Sequence, residues 1–156
     1  MQLWSPSSNR AAATGEAGSA SLEFLTAGLI LLVPLVYLVV GLSAIQGGAL
    51  AVEGAARQAA RVYVQSPDAE EAGVRAARAV EFGLADYGIE AANASVHIDC
   101  ESASTCLTRG SAVTVTVQVL VALPLVPDVL SLRDVASVPV RASATQTVSR
   151  FWGGAD

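Results

Sequence analysis

From Phe24 to Ile45 the chain runs through twenty-two residues without a charge, and the residue directly in front of that run is an acid, Glu23. At about 1.5 Å of rise per residue, such a stretch is long enough as a helix to cross a hydrocarbon layer of about 30 Å. The run therefore predicts a membrane-spanning helix over residues 19–46. A charge at the centre of a bilayer helix costs roughly 2.5–3.5 kcal/mol by insertion scales and less near the interface, so Glu23 at this edge calls for a reason. A cleaved secretory signal is the competing reading. Its apolar region is normally about 7–15 residues behind a basic start, whereas here the run is longer and the only preceding base is Arg10. The corresponding cut would fall in the small-residue stretch Gly48-Ala49-Leu50-Ala51.

A chain of 156 residues has room for one small domain beside such an anchor. Its nine basic residues are all arginine and the net charge is −5, so it lacks the basic field that nucleic-acid binding requires, and nucleic acid is not an expected partner. No phosphate-binding loop, dinucleotide fingerprint, zinc helix motif or serine elbow occurs, and His97 is the single histidine. The expectation is a protein that is not an enzyme and uses no cofactor. Residues 1–18, rich in Ser, Ala, Asn, Pro and Gly without apolar period, read as an unstructured leader. Residues 47–156 form the domain.

The helical pattern continues past the apolar run. Glu53, Arg57, Arg61 and Gln65 recur every four residues on one face, and Ala55, Ala56, Ala59, Ala60, Tyr63 and Val64 lie elsewhere, so the span and this stretch form one long helix. Glu53 precedes Arg57 in the favourable order, worth about 0.2–0.5 kcal/mol. Gly47-Gly48 weakens the helix at the expected membrane exit and reads as a hinge. A second helix is expected from Ser66 as cap and Pro67 as first helical residue, with Asp68, Glu70 and Glu71 at the positive end of its dipole, to about Tyr87, where Gly88 stops it.

After Gly88 the period changes from helical to two. Val96, Ile98 and Cys100 alternate with His97 and Asp99; Val113, Val115, Val117, Val119 and Val121 alternate with Thr114, Thr116 and Gln118; Val138, Val140, Ala142 and Ala144 alternate with Arg141, Ser143 and Thr145. Three antiparallel strands follow two helices, giving an α+β class in which alanine-rich helices cover the valine face of a small sheet. Pro124, Pro127 and Arg133-Asp134 mark a wide crossing between the last two strands, and Pro139 points to an edge position for the last.

Cys100 and Cys106 bracket a polar loop leaving the first strand, a placement that suits a disulfide in an oxidising compartment. By loop-closure arithmetic the ring contributes on the order of 2 kcal/mol. A metal site built from His97, Cys100 and Cys106 is the sharper alternative, but a lone histidine on the polar face of a strand is far more often simply solvated, and no metal is expected.

Gly18, followed after four residues by Glu23, an aromatic at Phe24 and a long apolar helix, resembles the prepilin-peptidase recognition site of type IV pilins, with the Glu-Phe ending nearest the Flp subclass. Taken with the alanine-arginine helix Gly54–Arg61 and the small sheet domain, the chain after Gly18 resembles a TadE-like minor pseudopilin of tight adherence (Flp) pilus systems. That resemblance implies cleavage after Gly18 by a prepilin peptidase, leaving Ser19 as the new N-terminus and Glu23 as the fifth mature residue. It further implies partners among other pilin and pseudopilin subunits and a membrane assembly platform, beside the lipid bilayer itself. The expected location is the cell membrane, single-pass, with the domain outside the cytoplasm, on a pilus or at the cell surface, and the expected role is pilus assembly and adhesion. The new Ser19 amine would be cationic, and a carboxylate in apolar surroundings is least costly beside a cation.

Other readings stand beside this one. Ser21 as helix cap would make Glu23 an ordinary dipole-facing acid. Pro34 permits a kink in mid-span or is a packing feature of an ordinary membrane helix. Phe151-Trp152 is a contact with a partner or membrane interface, or packs on its own domain. A signal-anchored extracytoplasmic binding or adaptor protein, retaining Met1 to Gly18, is the competing function.

Overall fold

The computed structural model describes residues 17–101, 106–126 and 136–153. In chain order it contains α1 (Ala17–Val64), α2 (Ala69–Ala85), a short 3-10 turn (Ala91–Asn93), β1 (Ala94–Cys100), β2 (Ala112–Ala122) and β3 (Ser137–Thr147). Two helices followed by three antiparallel strands is the α+β architecture that the change of period predicts. The chain divides between Val40 and Gly41 into two compact units.

In the first unit α1 is apolar on all sides and covered on none. Phe24, Leu31 and Ile30 are 78%, 73% and 67% exposed, and only 6% of the most apolar window is buried. That segment is therefore not the core helix of a domain, and it is long and apolar enough to cross a membrane. The helix is unbroken through Pro34.

In the second unit the rest of α1 and all of α2 pack with the sheet into one core. From α1 come Ala51, Val52, Ala55, Ala56, Ala59, Ala60 and Tyr63; from α2 come Ala72, Ala76, Val80 and Leu84, every fourth residue; from β2 come the five valines Val113 to Val121. Alanine at the crossings lets helix backbones come close. Gly83 of α2 lies against Ala55 of α1, where a Cβ on Gly83 would stand 3.1 Å from the Ala55 Cα.

Gly47 and Gly48 do not act as the expected hinge, because α1 is continuous through both. Gly48 is buried, and a Cβ there would run into the Val121 side chain of β2. Its use is close approach of helix to sheet rather than flexibility.

The start of α2 also differs from expectation. Asp68 is the N-cap, its carboxylate accepting from the Glu71 backbone N–H at 2.8 Å, and Ala69 is the first helical residue. Ser66 is instead fully buried at the end of α1, where its hydroxyl donates to the Val62 carbonyl at 2.8 Å and its N–H donates to that of Tyr63 at 3.2 Å. With its hydroxyl used backwards, Ser66 has nothing to offer the next helix. The other end follows the glycine rule: Gly88, at φ +69°, lets its N–H reach the Ala85 carbonyl at 2.9 Å and the Ile89 N–H reach that of Leu84 at 3.1 Å.

The sheet has order β1-β2-β3 with both pairings antiparallel, which puts β3 and its Pro139 at an edge. Val117 sits between Val96 and Ala142, and Thr116 between His97 and Ser143. One face is thus the valine floor of the core. The other carries polar side chains, joined at one point by a 2.8 Å hydrogen bond between the Thr114 and Thr145 hydroxyls. Most of the crossing between β2 and β3, including Pro127 and Arg133-Asp134, lies outside the described residues.

Candidate functional site at the start of the apolar helix

Helix α1 begins at Ala17, so Gly18 and Ser19 lie in its first turn. The first four N–H groups of a helix have no intrahelical acceptor, which makes this turn the least secured part of the backbone. Residues 1–16 of the expected leader lie outside the described residues. Because the helix starts at Ala17, Ser21 stands inside it and is not its cap. The dipole account of Glu23 loses its capping serine, and Glu23 itself falls beyond the first turn, where the dipole effect fades.

Ser19 and Glu23 are one helical turn apart on a common face that also carries Leu22, Thr26 and Ile30. The Thr26 hydroxyl is turned back to the Leu22 carbonyl at 2.7 Å, which removes it as a donor to the acid. Glu23 is exposed and has no ion-pair partner among the described residues. A carboxylate in this position, beside an uncovered apolar surface, costs least in lipid or in a helix bundle when a cation pairs with it. Phe24 projects from an adjoining face.

Cys100 and Cys106 form a disulfide with Cα atoms 5.1 Å apart. The surrounding chain is tied down as well: the Glu101 backbone N–H donates to the Ala112 carbonyl at 3.1 Å, and the Glu101 carboxylate accepts the Ala112 N–H at the same distance. His97 lies on the opposite face of β1 from Cys100, three residues away in a period of two, and pairs with Asp99 at 3.0 Å in an exposed position. His97, Cys100 and Cys106 therefore do not converge on one point.

Trp152 belongs to the core of its own domain, its indole N–H donating to the Ser66 carbonyl at 2.9 Å, while Phe151 is 86% exposed. One feature escaped the sequence reading. An open groove of about 620 Å³ runs between α1 and α2, with Leu50, Gly54 and Val62 on one wall and Arg75, Arg78 and Phe82 on the other. Its sequence signal was Gly54, a glycine inside a helix with nothing within 4 Å of its would-be Cβ.

Searches against family models, curated proteins and solved structures found no match for this chain.

Proposed function

We propose that this protein is a TadE-like minor pseudopilin, cut after Gly18 by a prepilin peptidase and drawn from the membrane into Flp (tight adherence) pilus assembly. The observation that carries the reading is the exposed carboxylate of Glu23, without an ion-pair partner among the described residues, one helical turn after Ser19 at the head of an uncovered apolar helix. Cleavage at Gly18 creates a cation at Ser19, and a neighbouring subunit that brings such an amine to Glu23 sets the register of the two helices. Cohesion then comes from packing of the Phe24–Ile45 segments against one another. The domain beyond the membrane takes its place outside the cytoplasm, where the Cys100–Cys106 disulfide persists. The role is assembly and adhesion, not catalysis.

The test is intact-mass and N-terminal peptide mass spectrometry of the protein from native membranes. A chain beginning at Ser19 is the expected result, and Gly18→Val should then retain the leader. A chain beginning at Met1 overturns the pseudopilin reading in favour of a stationary adaptor that displays its polar sheet face. A start near Leu50 or Val52 means secretion.

A further inference from the structure

Where β2 gives way to the crossing, the sheet ends in a stretch without a polar side chain. Residues 120–126 read Leu-Val-Ala-Leu-Pro-Leu-Val, although chain leaving a strand is ordinarily polar. Leu120 and Leu125 are 55% and 78% exposed, and Leu123 and Val126 are half-buried. The Leu123 N–H still donates to the Ala136 carbonyl at 3.0 Å, so the sheet holds the backbone at this point.

A contact with α1 fixes the depth of this end. A Cβ on Gly41 would stand 3.9 Å from the Leu123 Cδ2. Gly41 lies inside the apolar run, which continues to Ile45. A hydrocarbon layer of about 30 Å takes about 20 helical residues, and wherever these are drawn from the run, Gly41 is among them. Leu123 is therefore level with a residue that the lipid surrounds. Tyr87 gives a second bearing. It is half exposed and lies against Gly47, just past the end of the run, which is the interfacial level that tyrosine rings favour.

We propose that the end of the sheet at residues 120–126 is a second membrane contact, with Leu125 entering the same bilayer that α1 crosses and Leu120 lying at its surface. The commitment to lipid comes from the Gly41–Leu123 contact, which leaves this apolar end nowhere else to be when α1 is inserted. Composition agrees with it. Residues 120–126 carry no charge and residues 87–93 carry only Glu90, so the contact is burial of apolar side chains rather than attraction to anionic headgroups. The domain is then held to the membrane at two places, and its strands meet the surface end-on. This rests on the membrane reading of α1 but not on cleavage at Gly18, so a Met1 start in the mass spectrum leaves it standing.

The experiment is depth-resolved fluorescence quenching of the full chain in phosphatidylcholine vesicles. Cys100 and Cys106 are joined to each other, so one added cysteine is the single labelling site. Three variants are labelled with a nitrobenzoxadiazole fluorophore before reconstitution: Leu125→Cys, Leu32→Cys in the apolar run, and Gln146→Cys, exposed near the far end of β3. Phospholipid spin-labelled near the headgroup end of its acyl chain should quench the label at 125 at least about twofold and leave that at 146 unchanged. Lipid spin-labelled deep in the chain should quench the label at 32. Quenching at 32 without quenching at 125 overturns the second contact and leaves the membrane reading intact; a blue-shifted, unquenched label at 125 would then mean that another protein surface covers it. No quenching at either site overturns both readings. Equal quenching at 125 and 146 also overturns the proposal, since the sheet would then lie flat on the membrane.

Discussion

The indole N–H of Trp152 donates to the backbone carbonyl of Ser66 at 2.9 Å, joining two residues 86 positions apart. Ser66 is the buried residue at which α1 gives way to α2, so the helix junction is held from the far end of the chain. The guanidinium of Arg109 donates to the Trp152 carbonyl at 2.7 Å and fixes the tryptophan from the other side. Trp152→Phe keeps an aromatic ring but leaves that carbonyl without its donor, and should lower unfolding stability by about 1–2 kcal/mol. Trp152→Ala should lose more. Near-UV circular dichroism during urea unfolding of the solubilised chain measures both.

Two glycines in the same pair of helices should respond in opposite directions. Gly83→Leu has nowhere to go, since even a Cβ meets the Ala55 backbone at 3.1 Å, and should separate α1 from α2 at a loss of about 2–3 kcal/mol. Gly54→Ala meets nothing within 4 Å and should stabilise by about 0.5–1 kcal/mol through helix propensity. Equal effects in thermal unfolding would contradict the packing described.

A hinge and a packing contact at Gly48 make different predictions. Were Gly48 a flexible joint, Gly48→Ala would stiffen and stabilise the helix. Its contact with Val121 instead makes that substitution destabilising, and trimming the partner in Gly48→Ala/Val121→Ala should recover part of the loss. A double-mutant cycle on unfolding free energy gives the coupling directly.

Burial raises the Tyr63 phenol above the ordinary value of 10.0. The folded state therefore holds that proton more tightly than the unfolded state does. Its contribution to stability is complete below pH 10 and is lost as the pH rises through the higher folded value. In phenolate absorbance Tyr63→Phe should remove a late-titrating component, together with its share of the alkaline loss.

Reduction of Cys100–Cys106 opens a short ring and should lower stability by about 2 kcal/mol on loop-closure arithmetic, without unfolding a domain whose valine core remains. Unfolding midpoints with and without dithiothreitol test this. A collapse on reduction would mean that the core cannot stand alone.

Periodicity made most of the fold legible. Alanine and valine recur at four on α2 and at two on β2, and those positions are the ones buried. Local rules failed where a distant residue decided the outcome. Ser66-Pro67 reads as the helix start, and nothing nearby says that Ser66 will be pulled into the end of α1 under Trp152, leaving the cap to Asp68. Gly47-Gly48 reads as weakness until Val121, more than seventy positions on, is laid against it. The candidate site was legible as a spacing, Ser19 to Glu23, because one helical turn is written directly in sequence. Whether Glu23 is paired was not legible there, and it enters no ion pair among the described residues.

The strands of the sheet lie side by side in the order in which they occur along the chain. No strand has to be inserted between two already paired, and β2 needs only its predecessor before it in turn becomes the template for β3. A chain delivered from its N-terminus, whether from a ribosome or through a pore, can therefore assemble this domain vectorially, with both helices already made when the first hairpin closes over them.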